Sequence, residues 1–269
     1  MAEEIMVYKL AKPEGWDFYT GKTINYRDGI GSIVKCPSPN PKLGVCSSGV
    51  LHASENPNDC FVGAKIPCSA YLVSGKPVCG DSVKWGFTEL KVIEEIADLD
   101  SLFGWNYTEA VNPVNPLRRK RKPTKEHIKL LAEWASVWAG LRNSVWDSVG
   151  DSVWDSVRDS VRDSVRDSVW TSVWTSVRDS VRDSVGDSVW TSVWTSVWTS
   201  VWGYTGSLFP NVKKWKYIEH EEGVYPFQSG VDLWKAGFVP SFDGKTWRLY
   251  SGKKADIVYE ITQEELRRI

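Results

Sequence analysis

His52, Ser54 and Glu55 fall within four residues of one another, between Cys46 and Cys60, and they are the side chains a hydrolase uses. A histidine base, a hydroxyl or thiol nucleophile and an orienting carboxylate perform acyl transfer when folding brings them together. Histidine with cysteine also suits zinc. The spacing argues against the metal. Zinc ligands usually come in close pairs, two to four residues apart, whereas no two of the five cysteines have fewer than seven residues between them. A lone histidine beside a helix cap is expected to be a structural hydrogen-bonding residue. His52, Ser54 and Glu55 therefore stand as catalytic candidates in a subordinate reading, with no metal and no cofactor expected.

A second chemical signal is the run Arg118-Arg119-Lys120-Arg121-Lys122, five consecutive positive charges behind the breaker Asn112-Pro113-Val114-Asn115-Pro116. Such a run can grip phosphate. With no interleaved aromatic residue it lacks the stacking platform that single-stranded nucleic acid needs. A solvated hinge is the expectation, and nucleic acid is disfavoured as a partner.

A third signal is repetitive. Between Ala135 and Trp202 a four-residue unit, Asp/Thr-Ser-Val-X, recurs seventeen times in unbroken register, with Ala135, Ala139 and Asn143 opening the first three units, Gly140-Leu141 replacing Ser-Val once, and X being Trp nine times, Arg six times and Gly twice. These three residues have codons that can differ in the first base alone, as drift within a duplicated stretch of DNA would leave them. Constant Ser and Val are expected to face an interior, and X to face solvent or a partner. On that reading Trp170, Trp174, Trp190, Trp194, Trp198 and Trp202, with Arg158, Arg162, Arg166, Arg178 and Arg182, form a binding surface. Trp and Arg are the residues enriched at interface hot spots.

What shape carries a period of four? In a straight α-helix each fourth residue lags by about 40°, so the valines would wind around the axis and leave no single apolar face. Ser and Asp also compete with a helix by bonding nearby backbone. A β-solenoid, with one unit per short side and Val stacked inward, removes the drift. The fold expected is α+β ends around a tetrapeptide-repeat β-solenoid; the alternative is a long α-helix or helical hairpin. That alternative has its own support, because Lys125–Trp134 is an amphipathic helix opened by Thr124 that leads into the first units.

The ends are of ordinary composition. Ile5–Leu10, Ser69–Val73 and Thr88–Ile96 alternate as strands, and Asn56-Pro57-Asn58-Asp59 has the cap, first-turn proline and acid of a short helix. In the tail, Trp215–Ile218 is expected as a strand and Val231–Ala236 as a helix closed by Gly237. Two strands joined by Ser251-Gly252-Lys253-Lys254 follow. Tyr217, Tyr225, Phe227, Trp234, Phe242 and Trp247 are its expected core. The boundaries expected are 1–110 for a mainly β domain, 111–134 for basic linker and entry helix, 135–202 for the array, and 203–269 for an α+β cap.

Tyr8-Lys9 and the run Leu51-His52-Ala53-Ser54-Glu55-Asn56-Pro57-Asn58-Asp59, with the later strand closing at Gly75, resemble an uncharacterised domain family of phages and bacteria. In that family the run reads Phe or Leu-His-Ala-x-x-Asn-Pro-x-Asp, and four-residue Trp/Arg/Gly arrays often follow. The likeness covers about the first hundred residues and the style of the array. It implies a mobile-element origin and carries no activity.

A net charge of −1 excludes a global attraction to nucleic acid or acidic lipid. Met1-Ala2-Glu3-Glu4 is not the basic start of a signal peptide, and no apolar run reaches the ~20 residues of a membrane span. An odd number of cysteines fits a reduced compartment. The expectation is a protein of the host cytoplasm, with virion association as a variant. Its expected role is a non-enzymatic interaction or spacer protein whose array meets a protein partner or itself. The alternatives are a small enzyme or nucleotide-binding module around His52, and nucleic-acid contact through the basic linker. A deep pocket beside His52 would favour the former of these two.

Overall fold

The computed structural model of the chain describes residues 3–140, 145–158 and 163–269. It divides into two compact units, Met1–Tyr107 with Val161–Ser168, and Thr108–Ser160 with Val169–Ile269.

The first unit is built on strands β1 (Ile5–Ala11), β2 (Ile33–Lys35), β3 (Leu51–Ala53), β4 (Ser69–Gly75), β5 (Cys79–Gly80), β6 (Trp85–Phe87) and β7 (Glu89–Ile96). Four form an antiparallel sheet in the order β1-β4-β7-β2, and three form a smaller sheet, β3-β6-β5. Alternation in β1 turns Val7 and Ala11 inward with Tyr26, Tyr71, Val73, Phe87, Leu90 and Val92, the period-two burial of a half-covered sheet. The Asn56 side chain accepts from the Asn58 backbone N–H and opens a 3-10 turn over Pro57–Val62. Asn58 then accepts from Trp105 Nε1 at 3.0 Å and donates to the Phe103 carbonyl at 3.0 Å. That ties the turn to an aromatic cluster of Phe61, Phe103, Trp105 and Tyr107 behind the short helix α1 (Leu99–Phe103).

The second unit holds α2 (Tyr107–Val111), α3 (Lys125–Gly140), α4 (Val145–Arg158), the major part of α5 (Asp163–Ser207), α6 (Gln228–Ala236), strands β8 (Val239–Phe242), β9 (Thr246–Ser251) and β10 (Asp256–Thr262), and the terminal turn α7 (Gln263–Leu266). Buried Trp134 of α3 lies so close to Gly230 of α6 that a Cβ there would sit 2.7 Å from the indole. Gly237 closes α6 at φ 94°, a left-handed conformation that glycine adopts without strain. The three strands form an antiparallel sheet, β10-β9-β8. Trp215–Ile218 is not a strand: Tyr217 has φ 66° and is 65% exposed, its hydroxyl donating to Asp155 at 2.6 Å.

The β-solenoid is overturned. The described residues of the array are helical, in α4 and α5 and the end of α3, and the sheets are antiparallel and lie outside it. The drift argument assumed a straight axis, and this axis is not straight. Val149, Val153 and Val157 of α4, and Val169, Val173, Val177, Val181, Val197 and Val201 of α5, are all fully buried. A four-residue repeat keeps one face inward only where the axis departs from a straight line. Hydroxyls of the array bond back to the preceding turn. Thr175 donates to the Thr171 carbonyl and Thr199 to the Thr195 carbonyl, each at 2.8 Å, and Ser200 donates to Val197 at 2.7 Å. Such back-bonding to the preceding turn bends helices.

The bend is large. Trp170 and Trp198 would be about 42 Å apart along a straight helix, yet their ring centroids are 4.6 Å apart. Trp174 meets Trp194 at 4.7 Å and Trp198 at 5.3 Å, and Trp170 also stacks on Trp202 at 5.5 Å. As one partner advances the other retreats, so the helical run doubles back between Trp174 and Trp194. Ser196 Oγ accepts from the Phe242 N–H at 2.8 Å and fastens one arm to β8.

Candidate functional site

The site grows from one misfit residue. Within β1, Lys9 shares the inward face with Val7 and Ala11, and it is 6% exposed. A buried ammonium requires a partner, which the following loop provides. Asp17 Oδ1 meets Lys9 Nζ at 2.8 Å, and its Oδ2 accepts from the Tyr19 and Thr20 backbone N–H groups at 2.9 Å each. Burial opposes ionisation of both groups. The Lys9 charge and the two backbone donors outweigh it at Asp17, whose carboxyl falls to about 2. Burial likewise pulls on Lys9, and Tyr26 and Asp17 leave its ammonium raised above the ordinary value. The loop itself is held by Arg27, whose guanidinium takes both Glu95 oxygens at 2.6 and 2.8 Å and the Pro13 carbonyl at 2.8 Å. At its start Gly15 has φ 90°, and a Cβ there would collide with Asn25 Oδ1.

Above the ion pair opens a cavity of about 480 Å³, walled by Phe18, Tyr19 and Thr20 of the loop, Cys46–Ser48, His52 and Ser54 of the β3 segment, and Cys60, Val62 and Lys84. That volume lies within the range of small-molecule sites. His52 brings its ring to 6.1 Å from Tyr19. Burial, with Lys9 and Lys84 adding positive field, lowers its imidazole to about 4, against a hydrogen bond to the Val45 carbonyl. The ring is neutral at pH 7. Its Nε2 is buried without a hydrogen-bond partner, as is Thr20 Oγ1. Both atoms belong to residues that line the cavity.

The catalytic constellation is not assembled. His52 and Ser54 both line the cavity, but Glu55 accepts from Trp85 Nε1 at 2.9 Å and is not part of the wall. Cys60 donates to the Tyr8 carbonyl at 3.1 Å, and burial pushes its thiol up to about 11, which leaves it no thiolate nucleophile at neutral pH. Among the described residues no group of three or more His, Cys, Asp or Glu could hold a metal ion.

Among the described candidates of the array, the tryptophans pack inward while two of the arginines stay exposed. Trp174 and Trp202 are buried and Trp170, Trp194 and Trp198 half-buried, packed on one another. Arg166 is buried beside Asp167 at 3.2 Å. Arg178 and Arg182 are exposed. Arg162 and the side chains of Arg158 and Trp190 lie outside the described residues. Arg118, Arg119, Lys120, Arg121 and Lys122 are exposed, on a segment pinned to β9 and not on a free hinge: the Arg121 N–H donates to Ser251 Oγ at 2.9 Å. No described helix is long and apolar enough to cross a membrane.

Sequence reasoning missed Lys9, Asp17 and Thr20. The signal for Lys9 was present, since strand alternation sets it in phase with Ile5, Val7 and Ala11; nothing local marks Asp17 as its partner. No protein-family model, curated protein or solved structure matches the chain.

Proposed function

We propose that the N-terminal unit is a binding module for a small uncharged ligand, held in the cavity beside His52 through a donor on the ligand. The observation that carries this is a pair of unpartnered buried atoms, His52 Nε2 and Thr20 Oγ1, borne by two residues that line a 480 Å³ cavity. The charges of the floor are already satisfied: Lys9 and Asp17 neutralise each other, so the floor asks for hydrogen bonds and not for counter-charge. Phe18, Tyr19 and Val62 offer the apolar wall for a flat body. Binding without turnover is favoured by the protonated Cys60 thiol and by Glu55, which is engaged by Trp85.

A panel of nucleosides, phenols and aromatic amides, read by the ¹⁵N shift of His52 Nε2 and by melting temperature, tests the reading. A binder should move the Nε2 resonance and raise the melting temperature, and His52→Phe should abolish both effects. If no probe acts and His52→Phe and Thr20→Val each cost more than about 2 kcal/mol, the two polar atoms serve the fold and the reading fails.

The array as a contact for a protein partner, or for a second copy, is the other reading. It is favoured by the exposed Arg178 and Arg182 on α5 and by Trp154, which is 38% exposed. Its Trp rings are largely used on one another, which weakens it.

A further inference from the structure

The basic run is neither a hinge nor an isolated string of charge. Its entry is fixed by buried Pro116 and Leu117, and by Trp234 Nε1 donating to the Val114 carbonyl at 2.8 Å. Arg118 closes a 3-10 turn there, Arg119 leaves it extended at φ −137°, ψ 139°, and Arg121 is tied to Ser251. Lys120 passes over the β9–β10 turn so closely that a Cβ on Gly252 would lie 2.9 Å from its own Cβ. The same turn presents Lys253 and Lys254, both exposed. Two stretches of sequence more than a hundred residues apart thus build one positive surface. The carboxylate recorded against it is Asp256, paired with Lys120 at 2.9 Å.

We propose that this strap and turn bind the phosphate backbone of double-helical nucleic acid. Ordering matters to the inference, because a pinned strap does not lose backbone freedom on binding. The charges come from two separate stretches, the strap and the turn at Lys253 and Lys254, so they spread over a surface and do not converge on a single anion. That arrangement fits a line of phosphates better than one isolated phosphate. The surface carries no aromatic ring on which an unpaired base would stack, which favours duplex over single strand, and no base-reading helix, so the contact is independent of sequence.

The test is fluorescence anisotropy of the full chain with labelled mixed-sequence DNA and RNA duplexes of about 20 base pairs, from about 50 mM salt upward. Engagement of five or six phosphates predicts a log–log salt slope of roughly −4.5 to −5.5. Arg118→Glu with Arg119→Glu and Lys122→Glu should weaken binding at least tenfold and flatten that slope. Lys253→Glu with Lys254→Glu should weaken it from the other side of the surface, and Lys42→Glu with Lys65→Glu should leave it unchanged. Lys120 is left alone because it pairs with Asp256, and circular dichroism checks that each variant is folded. Three results would overturn the proposal: no duplex binding at about 50 mM salt, binding that survives both strap and turn reversals, or tighter binding of a single strand. Equal affinity and salt slope for polyglutamate would also overturn it and point to an acidic protein partner.

Discussion

His52 and Asp17 respond to pH in the same direction for different reasons. The folded imidazole resists protonation down to about 4, whereas in the unfolded chain it takes a proton near 6.5. Its contribution is therefore present above pH 6.5 and is lost as pH falls from 6.5 towards 4. Asp17, lowered to about 2, extends the loss from about 4 towards 2. Urea titrations across pH 7 to 4 should show the first loss, and His52→Phe should remove it. Asp17→Ala strands a buried ammonium and should cost about 3–5 kcal/mol. Adding Lys9→Met to that variant should recover part of the loss, a coupling that a double-mutant cycle measures. At pH 8, iodoacetamide should label exposed Cys46 in the native protein and spare Cys60, whose thiol is held at about 11; peptide mapping reads the difference.

At the scale of the element, the array turns on whether its Trp residues are surface or core. Trp198 touches Trp170, Trp174, Trp194 and Trp202, so Trp198→Ala should cost about 3–5 kcal/mol. Arg182→Ala, on an exposed position, should change stability by less than about 0.5 kcal/mol. Chemical denaturation separates the two, and equal small effects would return the tryptophans to the surface. The elements that could be seen in the sequence are those whose signal is local. Asn56 with Pro57 marks a turn, Gly237 marks a helix end, and β1, β4 and β7 alternate. The array could not be resolved this way, because its secondary structure depends on a curl that follows from the summed lag of many identical units. The pocket was legible only at His52. Its floor, Lys9 with Asp17, is a tertiary pairing across a loop, and its two orphaned atoms exist only once the walls are placed.

The whole molecule carries two cores of different construction. The first unit closes its core with aliphatic and aromatic side chains between sheets, around Val7, Tyr71, Phe87 and Val92. The second rests on Trp134, Trp234 and Trp247, with the valines and tryptophans of the array. A ligand of the His52 cavity lies wholly against residues of the first unit, so its binding should raise the transition followed by Trp16, Trp85 and Trp105. The doubled-back run of α5 has a mechanical consequence. Pulled from its two ends, a helical run whose arms are held by Trp pairs in retreating register opens like a zipper, with force acting on one pair at a time. Trp170 with Trp202 and Trp198 would part before Trp174 with Trp194. The extension would come in short, nearly equal steps, and a tandem array made this way would yield gradually under tension where an ordinary domain snaps.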